Sequence, residues 1–289
     1  MLENVPSSLQ ITSCVDKKGS EVFPSINAEK LWKEGIKGKG SVVAIIDGNC
    51  QINNPELNDR IIGGMNFVSG EEPSDYTVTP NHGSAHITES PMCNVVIGSA
   101  PLAKLLVLKV TNDQGIAFNN DVIRAIFYAI YWRGQGGERV GILTISLRVS
   151  EHDPMLYNAI KLATSHHILV VASTGVLTRA NDSGNHRDYP EIVSVGALDE
   201  GGGPSHTGNL YSYADIYAMD QFLFTSEIGH DMYISGPSVA TAHVAGAAAL
   251  LLQALKSENR EPITTSELLI ELKRNTVRIE PNKQMLYFT

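Results

Sequence analysis

Five continuous apolar runs constrain the fold of this chain more than any other feature of its sequence. They cover residues 41–47, 105–110, 141–147, 168–173 and 192–197. Continuous apolar runs of this length are typical of parallel strands that are buried on both faces of a sheet. Helical patterns accompany them at 28–32, 120–132 and 154–165. Strands that alternate with helices predict a doubly wound α/β sheet.

The length and composition fit one such domain. The chain has 289 residues, of which 43% are hydrophobic and 18% charged, as in an ordinary soluble globular protein. We therefore expect a single domain over residues 1–289, with an N-terminal extension at 1–27 and a C-terminal tail at 276–289. In a doubly wound sheet the functional site lies beyond the carboxyl ends of the strands. Asp47 and Ser146 both occupy such positions.

Charge and targeting signals narrow the classes of partner and compartment. The formal net charge of −9 disfavours nucleic acid and anionic membranes as partners. The first residues lack the basic region and apolar core of a secretory signal. The apolar run at 244–255 is too short and too rich in alanine and glycine to span a bilayer. Cys14, Cys50 and Cys93 share no metal-ligand spacing, so we expect reduced thiols and a cytoplasmic location.

The turn Gly236-Pro237-Ser238 is the first candidate for chemistry. It precedes a run of small residues, Val239 to Ala249, which predicts a buried helix that packs closely on its neighbours. A serine in the first turn of a helix is placed where backbone N–H groups favour developing negative charge. The same residue could equally be a helix N-cap. The turn alone leaves both interpretations open.

Two further residues complete a set that can perform acyl transfer. A serine nucleophile needs a base, and the base needs a carboxylate that holds it in the correct tautomer. Asp47 ends a buried strand, and His82 follows an acidic loop. Each alone has a structural interpretation, as a turn-capping aspartate or an ordinary surface histidine. Their combined order with Ser238 is more specific, because Asp, His, Ser is the order of the subtilisin triad.

At this point the chain resembles the subtilisin-like serine proteases, and especially the intracellular subtilisins. The resemblance runs nearly end to end and continues beyond the three residues. Its further segments are Gly38-Lys39-Gly40, Asn54-Pro55-Glu56-Leu57, Arg60 to Gly64, Gly98 to Pro101, Leu106 to Val110, Tyr189-Pro190, Ser194 to Ala197, His243 to Gly246 and Leu286-Tyr287.

The resemblance implies a fold and a set of roles. It implies a mostly parallel sheet flanked by helices in three α/β/α layers. Asp47 would orient His82, and His82 would be the general base and then the general acid. Ser238 would be the nucleophile that forms an acyl-enzyme. Ser146 and Leu147 would match the edge along which a substrate backbone pairs as an added strand.

Several positions around the triad depart from the family pattern. The oxyanion-hole asparagine of the family is replaced by Val176, which has no side-chain donor. A subtilisin that loses this asparagine slows by about 10²–10³-fold. Thr174, Asn181 or Asn185 could substitute only if the loop is rebuilt. The family motif Asp-Thr-Gly becomes Asp47-Gly48-Asn49, which removes a hydroxyl beside the aspartate. Pro237 replaces a threonine and removes one N–H donor near the nucleophile.

The walls of the substrate cleft differ as well. Arg148 and Val149 replace glycines that wall the pocket for the residue before the cut, and the opposite wall reads Gly115-Ile116-Ala117-Phe118. These replacements should narrow or fill the cleft. Arg148 could select acidic substrates, although a plug or a surface charge is the favoured interpretation. The N-terminus lacks the short inhibitory Leu-Ile-Pro-Tyr-like segment of the intracellular subtilisins.

No cofactor is expected from the sequence. The resemblance implies calcium as the candidate metal, but the loop that carries the main calcium site of the family is shortened between Glu89 and Val96.

Two main functional hypotheses follow, and a third, acyl transfer to an amine in place of water, has no positive sign in the sequence. The first is a serine endopeptidase that cuts a peptide or protein substrate slowly or with narrow specificity. The second is a pseudoprotease that binds or regulates another protein while its triad is a relic. The retained triad favours the first, and Val176, Pro237 and Arg148 favour the second. The sequence leaves the oligomeric state open.

Overall fold

The structure is a computed structural model. It describes residues 2–4, 26–51, 57, 59–78, 89–90, 92–149, 153–174, 189–199, 203, 205, 214–225, 231–258, 262–280 and 283–288.

Six helices and seventeen strands lie in the described residues. The helices are α1 (Glu29–Lys33), α2 (Met92–Ser99), α3 (Asn119–Tyr131), α4 (Pro154–Ser165), α5 (Pro237–Ser257) and α6 (Thr265–Arg274). The first nine strands are β1 (Leu2–Asn4), β2 (Val42–Asp47), β3 (Asn49–Gln51), β4 (Ile61–Asn66), β5 (Thr77–Val78), β6 (Glu89–Ser90), β7 (Lys104–Lys109), β8 (Ile116–Ala117) and β9 (Ile142–Ile145). The others are β10 (Leu147–Val149), β11 (Leu169–Ser173), β12 (Ile192–Leu198), β13 (Ile216–Met219), β14 (Gln221–Thr225), β15 (Asp231–Ser235), β16 (Thr276–Glu280) and β17 (Lys283–Leu286).

Nine strands form the main sheet, in the order β16-β17-β13-β12-β11-β9-β2-β7-β4. All neighbouring pairs are parallel except β16 and β17. Strands β7 and β4 lie on one side of β2, and strands β9, β11, β12 and β13 follow in chain order on the other side. This is a doubly wound sheet, and its switch point is the carboxyl end of β2.

Helices cover both faces of the sheet and make three layers. One face packs against α2 and α5 through alternate strand residues such as Val43, Ile45 and Val107. The other face packs against α3 and α4 through residues such as Ala44, Ile46 and Leu108. Because successive residues of β2 point to opposite faces and both faces are covered, all six are buried. The three-layer α/β/α fold implied by the resemblance is confirmed.

The five predicted strands are all present, with ends that differ by at most three residues from the predicted ones. The run at 141–147 is divided, because β9 stops at Ile145 and β10 begins at Leu147 in a different sheet. Residues 276–280 and 283–286, which lie within the expected C-terminal tail, form the edge strand β16 and its neighbour β17 in the main sheet.

The small residues of α5 allow the close packing that the sequence predicts. A Cβ atom added at Gly246 would lie 2.5 Å from Cβ of Ser99, so α2 could not approach α5 as it does. The helix has 21 residues. It is long and apolar enough to cross a membrane, contrary to the expectation from the shorter run, but 83% of its apolar stretch is buried inside the protein. It is the core helix of the fold.

Candidate active site

Asp47, at the carboxyl end of β2, is buried and accepts two hydrogen bonds. The side chain is 8% exposed. The backbone N–H of Gly48 donates to Oδ1 at 2.8 Å, and the Ser90 hydroxyl donates to Oδ2 at 2.9 Å. Burial raises the pKa of the Asp47 carboxyl to about 6, although both hydrogen bonds act to lower it. The ionised form of Asp47 is therefore less favoured than that of an exposed aspartate.

The direction of α5 brings Ser238 to the same edge of the sheet. The Ser41 hydroxyl, just before β2, donates to the carbonyl of Ala249 at 2.9 Å. From Ala249 back to Ser238 the helix extends about 16 Å, at roughly 1.5 Å per residue. From Ser41 to Asp47 the strand extends about 20 Å, at roughly 3.3 Å per residue. The N–H of Gly236 donates to the carbonyl of Asp220, directly after the parallel strand β13, whereas Nζ of Lys256 donates to the carbonyl of Gly40, before β2 begins. The helix therefore begins at the carboxyl edge of the sheet, where Asp47 ends β2, and Ser238 lies on the same edge.

The turn that precedes Ser238 has a defined local structure. Gly236 has a φ of 150°, which favours glycine, and its N–H donates to the Asp220 carbonyl at 2.8 Å. Pro237 is the first residue of α5, a position where a backbone N–H has no partner within the helix. The missing N–H of Pro237 therefore costs the helix nothing. Ser238 follows in the first turn and is half-buried.

Three short strands form a small separate sheet beside this site, in the order β10-β1-β8. β10 and β8 lie on either side of β1, and both pair with it in the antiparallel direction. Asn4 is in register with Leu147, while Glu3 is in register with Arg148 and with Ile116. The chain's own N-terminal strand thus lies between the two walls that the sequence predicts for a substrate strand. It does so although the family's inhibitory sequence is missing.

The predicted substrate-binding residues are brought together at this edge. Ser146 and Leu147 are buried, and Ile116 is half-buried beside Gly115, whose φ of 72° closes the turn before β8. For Arg148 the structure describes the backbone in β10 and not the side chain. The predicted narrowing of the cleft stays a prediction.

Two predicted site residues, His82 and Val176, lie outside the described residues, as do Asn181 and Asn185. Their roles stay predictions. Thr174 is described at the end of β11, where its backbone N–H donates to the Val195 carbonyl at 2.8 Å. That N–H is therefore not free to bind an oxyanion.

His243 can be excluded as a base for Ser238, although both lie on α5. Nδ1 of His243 lies 3.0 Å from Oγ of Ser99, and Nε2 lies 3.1 Å from the Gln221 carbonyl oxygen. A carbonyl only accepts, so Nε2 carries the proton and Nδ1 accepts from the serine hydroxyl. Burial lowers the pKa of His243 to about 4. The ring is a neutral packing group between α2, α5 and β14.

The sequence reasoning missed Ser90 and a cysteine pair. β6 runs parallel to β3, with Ser90 in register with Cys50. Cys50 forms a disulfide with Cys93, at a Cα separation of 6.4 Å, and both are buried. The expectation of reduced thiols is wrong for this pair. The two cysteines are 43 residues apart in sequence, so no local sequence pattern predicts their contact.

The calcium site that the resemblance suggested would lie in the segment from Glu89 to Val96. Within the segment from Glu89 to Val96, the described residues form β6 and the beginning of α2. Across the described part of the chain there is no cluster of three or more His, Cys, Asp or Glu side chains that could hold a metal.

Comparison with known proteins agrees with this geometry. A model of the subtilase family matches residues 38–284. An intracellular serine protease of Paenibacillus polymyxa is 33% identical over 90% of this chain and 81% of its own length. The major intracellular serine protease of Bacillus subtilis is 29% identical, over 90% and 83% respectively. Thermitase of Thermoactinomyces vulgaris is 28% identical, over 78% and 79%. With a doubly wound sheet that brings an aspartate and a helix-borne serine to one edge, the chain belongs to the subtilase family.

Proposed function

We propose that the chain is a serine endopeptidase that acts through Asp47, His82 and Ser238. The observation that supports the proposal is the orientation of α5, whose first turn lies near Asp220 after β13 and whose last turn lies near Gly40 before β2, so that Ser238 is on the edge where β2 ends with Asp47. The names of the relatives support the same activity, since they are serine proteases. Two of those names include the word intracellular, which supports a cytoplasmic location for this chain. This support is separate from the argument based on reduced thiols, which the Cys50–Cys93 disulfide removes.

The chemistry would follow the usual two steps of acyl transfer. Oγ of Ser238 attacks the peptide carbonyl carbon while His82 accepts its proton. The amine leaves with that proton, and an ester to Ser238 remains. Water then attacks the ester, with His82 again as base, and releases the acid. Asp47 holds the imidazole and stabilises its charged form. The backbone N–H of Ser238 is the remaining candidate donor to the oxyanion, because Val176 offers none.

The proposal includes slow or narrow hydrolysis. One missing oxyanion donor costs about 10²–10³ in rate. Walls that carry Arg148 and Ile116 where the family has small residues should limit which side chains enter the cleft. Peptide recognition would use strand addition between β8 and β10, where β1 lies in this structure.

A fluorophosphonate probe tests the proposal directly, because it reacts with an activated serine. We expect labelling of the wild type at Ser238, and loss of labelling in Ser238→Ala and in His82→Ala. Ser257→Ala is a matched control, since Ser257 lies at the exposed far end of the same helix. Labelling should survive in this control. Folded protein that stays unlabelled, both as the wild type and after deletion of residues 1–25, would contradict the proposal and favour the pseudoprotease hypothesis.

Removing the N-terminal strand should raise activity toward an external peptide. β1 pairs with β8 and β10, between which the proposal places the substrate strand, so an external peptide would have to displace it. We expect deletion of residues 1–25 to lower KM about tenfold or more, since a tethered segment has an effective concentration near the millimolar range. Glu3→Pro should give part of this effect, because proline removes an N–H from the ladder.

A synthetic peptide of residues 1–6 provides the complementary measurement. Added to the shortened protein, it should inhibit competitively. Unchanged KM in both variants would show that β1 does not compete with substrate.

A further inference from the structure

Asp47 depends on a hydroxyl that comes from a distant part of the chain. Ser90 lies 43 residues after Asp47 and donates to Oδ2, while Gly48 donates to Oδ1. Both partners are buried, with 8% of Asp47 and 6% of Ser90 exposed. A hydrogen bond between a buried hydroxyl and a carboxylate favours the ionised form, which burial alone disfavours.

The structure holds the Ser90 hydroxyl in a fixed orientation. The backbone N–H of Met92, at the start of α2, donates to Oγ of Ser90 at 3.3 Å. Since Oγ accepts from Met92, its own proton is directed to Asp47. Ser90 is also fixed by its pairing with Cys50 in β3, three residues after Asp47. The disulfide from Cys50 to Cys93 fastens the two segments on either side of this contact.

Among the described residues, few other ionisable side chains lie beside Asp47 in the sheet. On β7 the residue in register is Lys109, which forms an ion pair with Glu71 and lies 3.8 Å from Asp75. On β9 the following residue is Ser146, which does not titrate, and the cysteines of β3 and α2 are joined in the disulfide. Ser90 is therefore the side chain that the described structure offers to Asp47.

We propose that Ser90 is a positioning residue for Asp47, in the activity proposed above. Its hydroxyl replaces the one that is lost where Asp47-Gly48-Asn49 stands for Asp-Thr-Gly. It keeps the carboxylate ionised and fixes the orientation in which Asp47 meets His82. Because Ser90 acts through Asp47 and does not touch the substrate, its removal should alter the pH dependence of catalysis as well as the rate.

The test compares Ser90→Ala, Ser90→Thr and Ser99→Ala with the wild type. The measurement is kcat/KM from pH 5 to 9, with the thermal unfolding midpoint of each protein as a check on folding. Activity requires an ionised Asp47 and a neutral His82, so it falls as the pH falls through the pKa values of this coupled pair. In Ser90→Ala this acidic limb should move upward by about 0.5–1 pH unit, the equivalent of one hydrogen bond. With a pKa near 6 in the wild type, activity at pH 6 should fall about twofold to fivefold.

The two other variants separate positioning from a purely structural role. Ser90→Thr keeps the hydroxyl and should restore the acidic limb. Ser99→Ala removes a buried hydroxyl from α2 that contacts His243 and not Asp47, so it should leave the limb unchanged. A wild-type limb in Ser90→Ala, or a shifted limb in Ser90→Thr, would overturn the role of Ser90 in an active enzyme. A wild type without activity would overturn the proposed function itself, and this role with it.

Where a variant unfolds too readily for kinetics, the pKa of the Asp47 carboxyl can be followed by carbon NMR at low temperature. We expect a higher pKa in Ser90→Ala than in the wild type. Equal values in the two proteins would contradict the proposal.

Discussion

Replacing His82 with alanine should lower kcat about 10⁶-fold, the loss that a subtilisin shows when its own triad histidine is removed. The reason is that the hydroxyl of Ser238 has no other base to take its proton. His243 lies on the same helix but is committed to Ser99 and to the Gln221 carbonyl. Ser238→Ala should cost about as much, and the double variant hardly more, because the two residues act as one unit.

His86→Ala provides the matched control for this experiment. His86 lies four residues after His82 in the same segment of the chain. Its replacement should leave hydrolysis of a chromogenic peptide within a few-fold of the wild type. If His86→Ala abolished activity while His82→Ala did not, the assignment of the base would be wrong although the proposed activity would stand.

The fold was predictable because buried parallel strands have a strong local signature. Mostly apolar runs form five strands of the main sheet: β2, β7, β9, β11 and β12. Such a run can be recognised from the local sequence, without knowledge of the neighbouring strands. Asp47 could be placed for the same reason, since it is the first charged residue at the end of such a run. The position of Ser238 was signalled by a Gly-Pro turn ahead of a helix made of small residues.

The surroundings of these residues could not be predicted in the same way. Ser90 lies in a strand of two residues, which is too short to show any periodicity. The disulfide and the pairing of β1 with β8 and β10 are contacts between distant segments. The sequence around Leu2, Ser90 and Cys93 contains no local pattern that would reveal those partners. The sequence indicated only that the threonine hydroxyl of the family motif is missing beside Asp47. The structure was needed to find Ser90, whose hydroxyl takes its place in the proposal.

Val176→Asn should raise the rate of peptide hydrolysis by about 10–10³-fold, the reverse of the loss caused by removing this side-chain donor. An oxyanion forms on the substrate as Ser238 attacks, and its stabilisation requires donors that are already in place. The backbone N–H of Thr174, just before this loop, cannot replace the missing donor, since it donates to the Val195 carbonyl. The gain should appear in kcat with little change in KM, because the donor meets charge that develops only in the transition state.

Val176→Ala separates this effect from simple relief of bulk. Alanine removes two methyl groups but adds no donor, so it should not reproduce the gain. An equal gain in both variants would mean that valine obstructs the cleft, and the missing donor would then not limit the rate. No gain in either variant, in a protein that the fluorophosphonate probe still labels, would place the limit in substrate entry. In that case the walls at Arg148 and Ile116, or the strand β1 between them, would control the rate, and deletion of residues 1–25 should then release it.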